Sequence, residues 1–503
     1  MLLSVLLTCT RTTLDRSPIY ARPGRGNLLS CLAFIKLPAV DLHVTTTAFS
    51  SLPFSREVLA NIQSLDYQVM TPIQAQGLPV ILQGRDLLAQ AKTGSGKTAA
   101  FALGLLHRLE ERSYRTQALV LCPTRELADQ VSREIRLLAR AIPNTSILTL
   151  CGGKPLAPQR TSLERNPHIV VGTPGRILKH LELGTLKLDA LTMLVLDEAD
   201  RMLDMGFHAD IMRIIEMTPR QRQTLLFSAT YPDEIQAISA AIQHDPVEIR
   251  VETTHHNKQI KQVFYEIQKG ERTRTLVALL QHYRPESSVV FCNRKQQCQE
   301  LADELWQQGF HALALHGDLD QKDRDQVLIQ FSNNSSSILV ATDVAARGLD
   351  IKDLPAVINF ELSPDPEVHI HRIGRTGRAG NEGLALSLFM ASEAPKVNAI
   401  AEFQNSPVSI ENTASLKARE NFRLSPPMVT LCISGGRKDK IRAGDVLGAL
   451  TANTDLPGKL IGKIDITERL AYVAVARPIA RQALKILSEG KIKGRKFRVR
   501  KLR

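Results

Sequence analysis

Two stretches of this chain carry groups able to do phosphate chemistry. Ala91-Lys92-Thr93-Gly94-Ser95-Gly96-Lys97-Thr98 departs from the G-x-x-x-x-G-K-[ST] phosphate loop only at its first position. In such a loop, backbone N–H groups cradle phosphates, the lysine reaches the β and γ phosphates, and the hydroxyl after it binds Mg2+. Further on, the apolar run Leu194-Val195-Leu196 delivers Asp197-Glu198-Ala199-Asp200 to its carboxyl end. A buried strand ending in adjacent acids sets one carboxylate on a metal and another beside an attacking water. Together the two stretches imply ATP hydrolysis. Lys97 would sit on phosphate, Thr98 and Asp197 on Mg2+, and Glu198 would orient or deprotonate water. Gln74, in Tyr67-Gln68-Val69-Met70-Thr71-Pro72-Ile73-Gln74, carries an amide that both donates and accepts, as an adenine edge requires.

Positioning these groups takes a scaffold, and the hydropathy pattern supplies it. Short apolar runs alternate with helical patterns: Asp86 to Ala89, Ala118 to Cys122, Ser146 to Leu150, His168 to Val171, Met193 to Leu196 and Thr224 to Phe227. Continuous Val, Ile and Leu is how buried parallel strands read, so residues 46–250 are expected to form a doubly wound α/β lobe. His255 to Lys261 reads as a linker. A second series runs through Val263 to Ile267, Ser288 to Cys292, Ala312 to His316, Ser337 to Ala341, Ala356 to Asn359 and Gly383 to Phe389, giving a second α/β lobe over 251–420. The last segment, 427–503, follows β-α-β-β-α-β order and suggests an α+β, ferredoxin-like or RRM-like domain.

Charge separates that last segment from the rest. It holds 18 Lys and Arg against 6 Asp and Glu, a net +12, while residues 46–426 hold 41 basic and 43 acidic residues. Such a segregated positive field is the footprint of a domain that binds a polyanion, most often nucleic acid. Seven cysteines lie scattered with no C-x-x-C spacing, which argues against a zinc site or a disulfide scaffold and for a reducing cytoplasm. No apolar run approaches the roughly 18 residues of a membrane span. Residues 1–45 read as an unstructured or mis-annotated extension, because their apolar start is short and lacks the basic residues of a signal peptide.

From about residue 49 to 420 the motifs resemble those of DEAD-box ATP-dependent RNA helicases, in order. They are Phe54 and Gln74, Ala91 to Thr98, Pro123-Thr124-Arg125-Glu126-Leu127-Ala128, Gly152-Gly153, Thr173-Pro174-Gly175-Arg176, Asp197 to Asp200, and Ser228-Ala229-Thr230. Val290 to Asn293, Gln321 and Arg324, Ala341 to Asp350, and His371-Arg372-Ile373-Gly374-Arg375-Thr376-Gly377-Arg378 continue the series. Asp66-Tyr67 and Met70 depart from the usual start of the adenine motif. The likeness implies two tandem RecA-like lobes that close on ATP and single-stranded RNA together. Arg375 and Arg378 would then be arginine fingers, a role that contributes roughly 10³ to 10⁵ in rate in related phosphoryl transfers.

By the same likeness, Phe54, Gln74, Ala91, Lys92, Thr93, Gly94, Ser95, Gly96, Lys97, Thr98 and Asp350 would hold the nucleotide. Thr124, Arg125, Gly153, Thr173, Arg176, Arg324, Thr342 and Arg347 would hold RNA, and Ser228, Thr230 and Asp200 would couple the lobes. Residues 427–503 resemble the RNA-binding domain of DbpA-type DEAD-box proteins, which implies a structured large-subunit rRNA partner. Its aromatic content is low. Val429 to Ile433 carries none and Ala471 to Val475 only Tyr472, so base stacking on the sheet is expected to be weak. Lys491, Lys493, Arg498 and Arg500 are the expected phosphate contacts, with Lys496, Arg498 and Arg500 sharing one strand face and Phe497 and Val499 the other. The expectation is a monomeric RNA-dependent ATPase that remodels short rRNA helices; the alternative is an ATP-gated RNA clamp.

Overall fold

The computed structural model describes residues 47–91, 94–251, 260–346, 354–377, 382–417, 424–452 and 456–502. The 1–45 extension lies outside them, as do Lys92, Thr93, Arg347, Asp350, Arg378 and most of the expected linker. In the first lobe the apolar runs become β1 (Leu87–Gln90), β2 (Ala118–Leu121), β3 (Ile147–Leu150), β4 (Ile169–Gly172), β5 (Met193–Asp197) and β6 (Gln223–Ser228). β7 (Val247–Arg250) completes a parallel sheet ordered β3-β4-β2-β5-β6-β1-β7. Strands β2, β4 and β5 are buried along their whole length, and apolar clusters cover both faces of the sheet. That is why they read as unbroken Val, Ile and Leu.

The second lobe repeats the plan with β8 (Ile260–Glu266), β9 (Ser288–Phe291), β10 (Ala312–Leu315), β11 (Ile338–Ala341), β12 (Ala356–Asn359), β13 (Gly383–Phe389) and β14 (Ser409–Glu411). Its order is β10-β11-β9-β12-β13-β8-β14, again parallel. Two parallel sheets of this kind are the expected doubly wound architecture. The edge strands β7 and β14 were not anticipated from sequence, because both are short and half open to solvent.

A third, antiparallel sheet holds β15 (Met428–Ile433), β16 (Ile461–Ile466), β17 (Ala471–Ala476) and β18 (Val499–Lys501) in the order β16-β17-β15-β18. Helices Ala443–Thr451 and Ala480–Glu489 close one face over a core of Leu431, Ile433, Val446, Leu450, Val473, Val475 and Leu487. This is the β-α-β-β-α-β order read from the sequence. The last strand is shorter than expected: Lys496 and Arg498 precede it, while Phe497 and Val499 do pack toward the core.

Candidate ATP and RNA sites

Strands β5, β6 and β1 are neighbours, so their carboxyl ends bring three loops side by side. The phosphate loop leaves β1, Asp197 ends β5, and Ser228 ends β6. Ala91 N donates to the Ser228 carbonyl at 2.8 Å, tying the start of the phosphate loop to β6. Gly96 has φ +91° and caps the Lys97–His107 helix. A Cβ there would meet Gln74 Nε2 at 2.6 Å, so only glycine fits the turn. Gln74 is buried, and its amide bridges two neighbours: Nε2 donates to Gly96 O at 3.0 Å and Oε1 accepts from Thr71 N at 2.8 Å. The residue read as an adenine reader is thus also a brace of the phosphate loop, with one hydrogen and one lone pair left. Phe54 lies half-buried nearby, edge-on to His107 at 5.9 Å.

Lys97 is buried with Nζ 2.8 Å from Asp197 Oδ1 and 3.8 Å from Glu198 Oε1. Burial alone would lower its pKa, but Asp197, Glu198 and Asp200 outweigh this and hold it above the usual lysine value. Burial pushes the Asp197 carboxyl up, against the pull of Lys97, and the Glu198 charge adds to the rise. At 2.8 Å the Lys97 and Asp197 groups form a close buried ion pair. Asp197 Oδ2 and Ser95 Oγ, beside that pair, are buried polar atoms lacking a hydrogen-bond partner. Such atoms are costly unless a ligand completes them. A phosphate would satisfy Lys97 and Ser95, and a divalent cation would satisfy the carboxylate, so this donor set fits Mg2+ and a nucleotide. Thr98, half-buried on the first helical turn, lies next to Lys97 in that set.

Glu198 takes a left-handed backbone, φ 55° and ψ 54°, costing on the order of 1 kcal/mol for a residue with a side chain. Its Oε2 lies 3.9 Å from Arg201 Nε. Asp200 turns the other way. Its Oδ2 accepts from Ala229 N, Thr230 N and Thr230 Oγ1, each at 3.1 Å. Ser228 Oγ is buried without a partner. The three expected coupling residues therefore occupy one junction beside the phosphate loop.

Opposite this junction the second lobe presents Arg375, which shares a narrow crevice with Arg201 of the first lobe. Beside it a cavity of about 400 Å³ opens between Asp200, Thr230 and Glu234 of one lobe and Asp365, Glu367 and His371 of the other. Arg372, by contrast, is fully buried. Its guanidinium grips Asp343 through two 2.7 Å contacts and donates to Asn359, to the Glu361 carbonyl and to Asn293. The sequence places Arg372 inside the His371-to-Arg378 motif but does not disclose this role. Its only signal was a third arginine beside the two expected fingers.

Most expected RNA residues gather on one side of the lobes. Thr124 caps the Arg125–Leu138 helix, accepting from Leu127 N at 3.2 Å. Arg125 lies across Gly152-Gly153, where a Cβ on Gly153 would stand 1.9 Å from Arg125 Nη1. Thr173 begins the Pro174–Glu182 helix with its hydroxyl uncommitted to a cap, and Arg176 donates to Lys154 O and Gln159 Oε1, both at 3.0 Å. Burial and the nearby Arg125 cation both depress the Arg176 pKa, so the two cations face one region. Across the cleft, Gln321 Oε1 accepts from Arg125 Nη1 at 2.6 Å, and Arg324 Nε pairs with Glu126. Thr342, half-buried, starts the short helix that carries Asp343.

In the third domain Lys491, Lys493 and Arg498 are exposed together near its C-terminal end, and Lys493 Nζ also reaches the Lys440 carbonyl at 3.0 Å. Arg500 departs from the expected phosphate-facing row. Its Nη2 donates to Gln326 of the second lobe at 3.0 Å, because its strand face is turned toward that lobe. Tyr472 lies on the same face and is 2% exposed, so it is packed and not open to a base.

Two facing α/β lobes, with a phosphate loop and paired acids on one and arginines on the other, define a nucleotide-driven helicase core. Residues 71–238 match the DEAD/DEAH box helicase family, 271–380 the helicase conserved C-terminal domain and 430–501 the DbpA RNA binding domain. The chain is 54% identical over 464 residues to the ATP-dependent RNA helicase DbpA of Escherichia coli (strain K12), covering 91% of this chain and 100% of that protein. It is 40% identical over 393 residues to the DEAD-box ATP-dependent RNA helicase CshA of Geobacillus kaustophilus (strain HTA426), covering 78% and 81%. Among solved structures, S. cerevisiae Dbp5 bound to RNA and ADP BeF3 matches with TM-score 0.66 at 30% identity, over 73% of this chain and 96% of that one. The chain belongs to the DEAD-box ATP-dependent RNA helicases, and its DbpA RNA binding domain makes it DbpA-type.

Proposed function

We propose that this helicase remodels short helices of large-subunit (23S) rRNA during assembly of the large ribosomal subunit, acting as a cytoplasmic monomer. The observation that carries this reading is the DbpA RNA binding domain at 430–501, with its exposed cluster of Lys491, Lys493, Arg495 and Arg498. Several cations at one end suit an RNA backbone and make affinity fall steeply with salt. Crosslinking the native protein to RNA in pre-ribosomal particles tests it. Crosslinks concentrated at one large-subunit element are expected, and a spread proportional to RNA abundance would refute it.

In the ATP site, Lys97 would hold the β and γ phosphates, and Thr98 and Asp197 would hold Mg2+. The metal would neutralise phosphate charge that this buried, carboxylate-rich site otherwise repels. Glu198, lifted by its left-handed backbone, would orient the attacking water. Phe54 and Gln74 would hold adenine, and Asp350 the ribose. Arg375 and Arg378 would complete the charge balance from the second lobe, so that turnover depends on closure. Thr124, Arg125, Gly153, Thr173, Arg176, Arg324, Thr342 and Arg347 would grip the strand by its backbone, which carries no sequence information. Specificity would therefore rest with the third domain.

A further inference from the structure

The outer sheet face of the third domain is closed against the second lobe. Ile329, on the Gln321–Ser332 helix, packs on Cys432, Tyr472 and Leu502. Around this apolar centre Ser335 Oγ and Thr430 Oγ1 stand 2.6 Å apart, Arg500 Nη2 donates to Gln326, and Met428 N donates to the Asn334 carbonyl at 3.3 Å. An apolar centre ringed by hydrogen bonds is the anatomy of a specific interface. Three adjacent strands, β17, β15 and β18, contribute to it, which resists swivelling as well as separation.

The docked helix has a second task at its other end. Its first turn sends Gln321 to Arg125 and Arg324 to Glu126 across the cleft. At 12 residues it is about 18 Å long, so one rigid rod joins the dock to the groups expected to grip RNA. Away from the dock, Arg437 of the third domain stands close enough to Arg136 of the first lobe to add to the lowering of its pKa that burial begins. The third domain therefore leans toward both lobes.

We propose that this dock is a ruler: it holds the RNA element bound by the third domain at a fixed distance from the cleft, so that spacing along the RNA selects which neighbouring helix is opened. The inference rests on the third domain being the RNA reader. A domain on a loose tether would accept many spacings with shallow preference, because effective concentration varies slowly with tether length. A rigid dock gives a sharp optimum.

The test uses the full chain and a 23S rRNA fragment that stimulates its ATPase better than poly(A), joined through spacers of increasing length to one short duplex. For the native chain, strand separation is expected to peak at one spacer. Ile329→Asp and Thr430→Arg open the dock from either side and touch no residue of the proposed ATP or RNA sites. Both should keep fragment affinity and poly(A)-stimulated ATPase, yet flatten the profile and lose about tenfold at the optimum. Ile329→Ala, a milder change, should fall between. A flat native profile, or dock variants that keep the native peak, would overturn the ruler. Lys491→Glu with Lys493→Glu separates the two claims: if fragment preference survives that charge reversal, the reading of the third domain as reader fails instead.

Discussion

Asp200 and Thr230 are joined twice through a single oxygen, since Asp200 Oδ2 accepts from both the amide and the hydroxyl of Thr230 at 3.1 Å. One carboxylate therefore fastens the acid-bearing turn after β5 to the loop after β6, where the cavity between the lobes begins. Asp200→Asn keeps the size of the group but turns one acceptor into a donor that faces other donors. ATP binding should persist, while the rate of strand separation should fall more than the ATPase rate. Parallel measurement of the two rates checks it, and an equal loss in both would contradict a coupling role.

Glu198 is the group proposed to act on water. Glu198→Gln should bind ATP and RNA normally and lose about 10² to 10⁴ in turnover, the span of general acid–base contributions. Single-turnover hydrolysis with RNA present is the measurement, and near-native turnover would remove Glu198 from the chemistry.

Arg375 enters the cleft from the second lobe, as Arg378 is expected to. Alanine at either position should lower RNA-stimulated ATPase by roughly 10³ or more while leaving RNA-free ATP binding little changed. Equilibrium binding of a fluorescent ATP analogue, set beside steady-state rates, distinguishes this from a folding defect.

His369 gives a pH dependence with a definite sign. Burial, assisted by the Arg372 cation, pushes its pKa down to about 3, and it stacks on Phe264. The unfolded chain takes up a proton near pH 6.5 and the folded lobe does not, so its stabilising share is full above pH 6.5 and shrinks as pH falls toward 3. Between pH 7 and pH 5 the loss is about 2 kcal/mol. Urea unfolding at the two pH values should show this drop, and His369→Gln should abolish most of it.

Lys491 and Lys493 should each release about one counterion on RNA binding. Replacing both with alanine should reduce the slope of log affinity against log salt by about two. An unchanged slope would move the RNA surface elsewhere.

The sequence disclosed the two lobes and the ATP half of the site because the informative groups are contiguous. Ala91 to Thr98 and Asp197 to Asp200 are each one short run of sequence, and buried strands such as Leu194 to Leu196 announce themselves by composition. Strands β7 and β14 stayed hidden because short, half-exposed strands leave no hydrophobic period. The burial of Arg372 and the turning of Arg500 toward Gln326 were equally invisible, since both depend on partners far away in sequence. Alternation correctly put Phe497 and Val499 on the core side, but it could not say that Arg500, on the opposite face, meets the second lobe.

Arg372 ties Asn293, Asp343, Asn359 and Glu361 to the helix that leads to Arg375, so four stretches scattered through the second lobe meet on one guanidinium. Lysine cannot replace such a planar, many-pronged donor. These stretches are consequently not free to drift one at a time: in descendants of this gene they should be inherited together, and a recombinant that mixes them from distant relatives should fail even when each piece is functional at home.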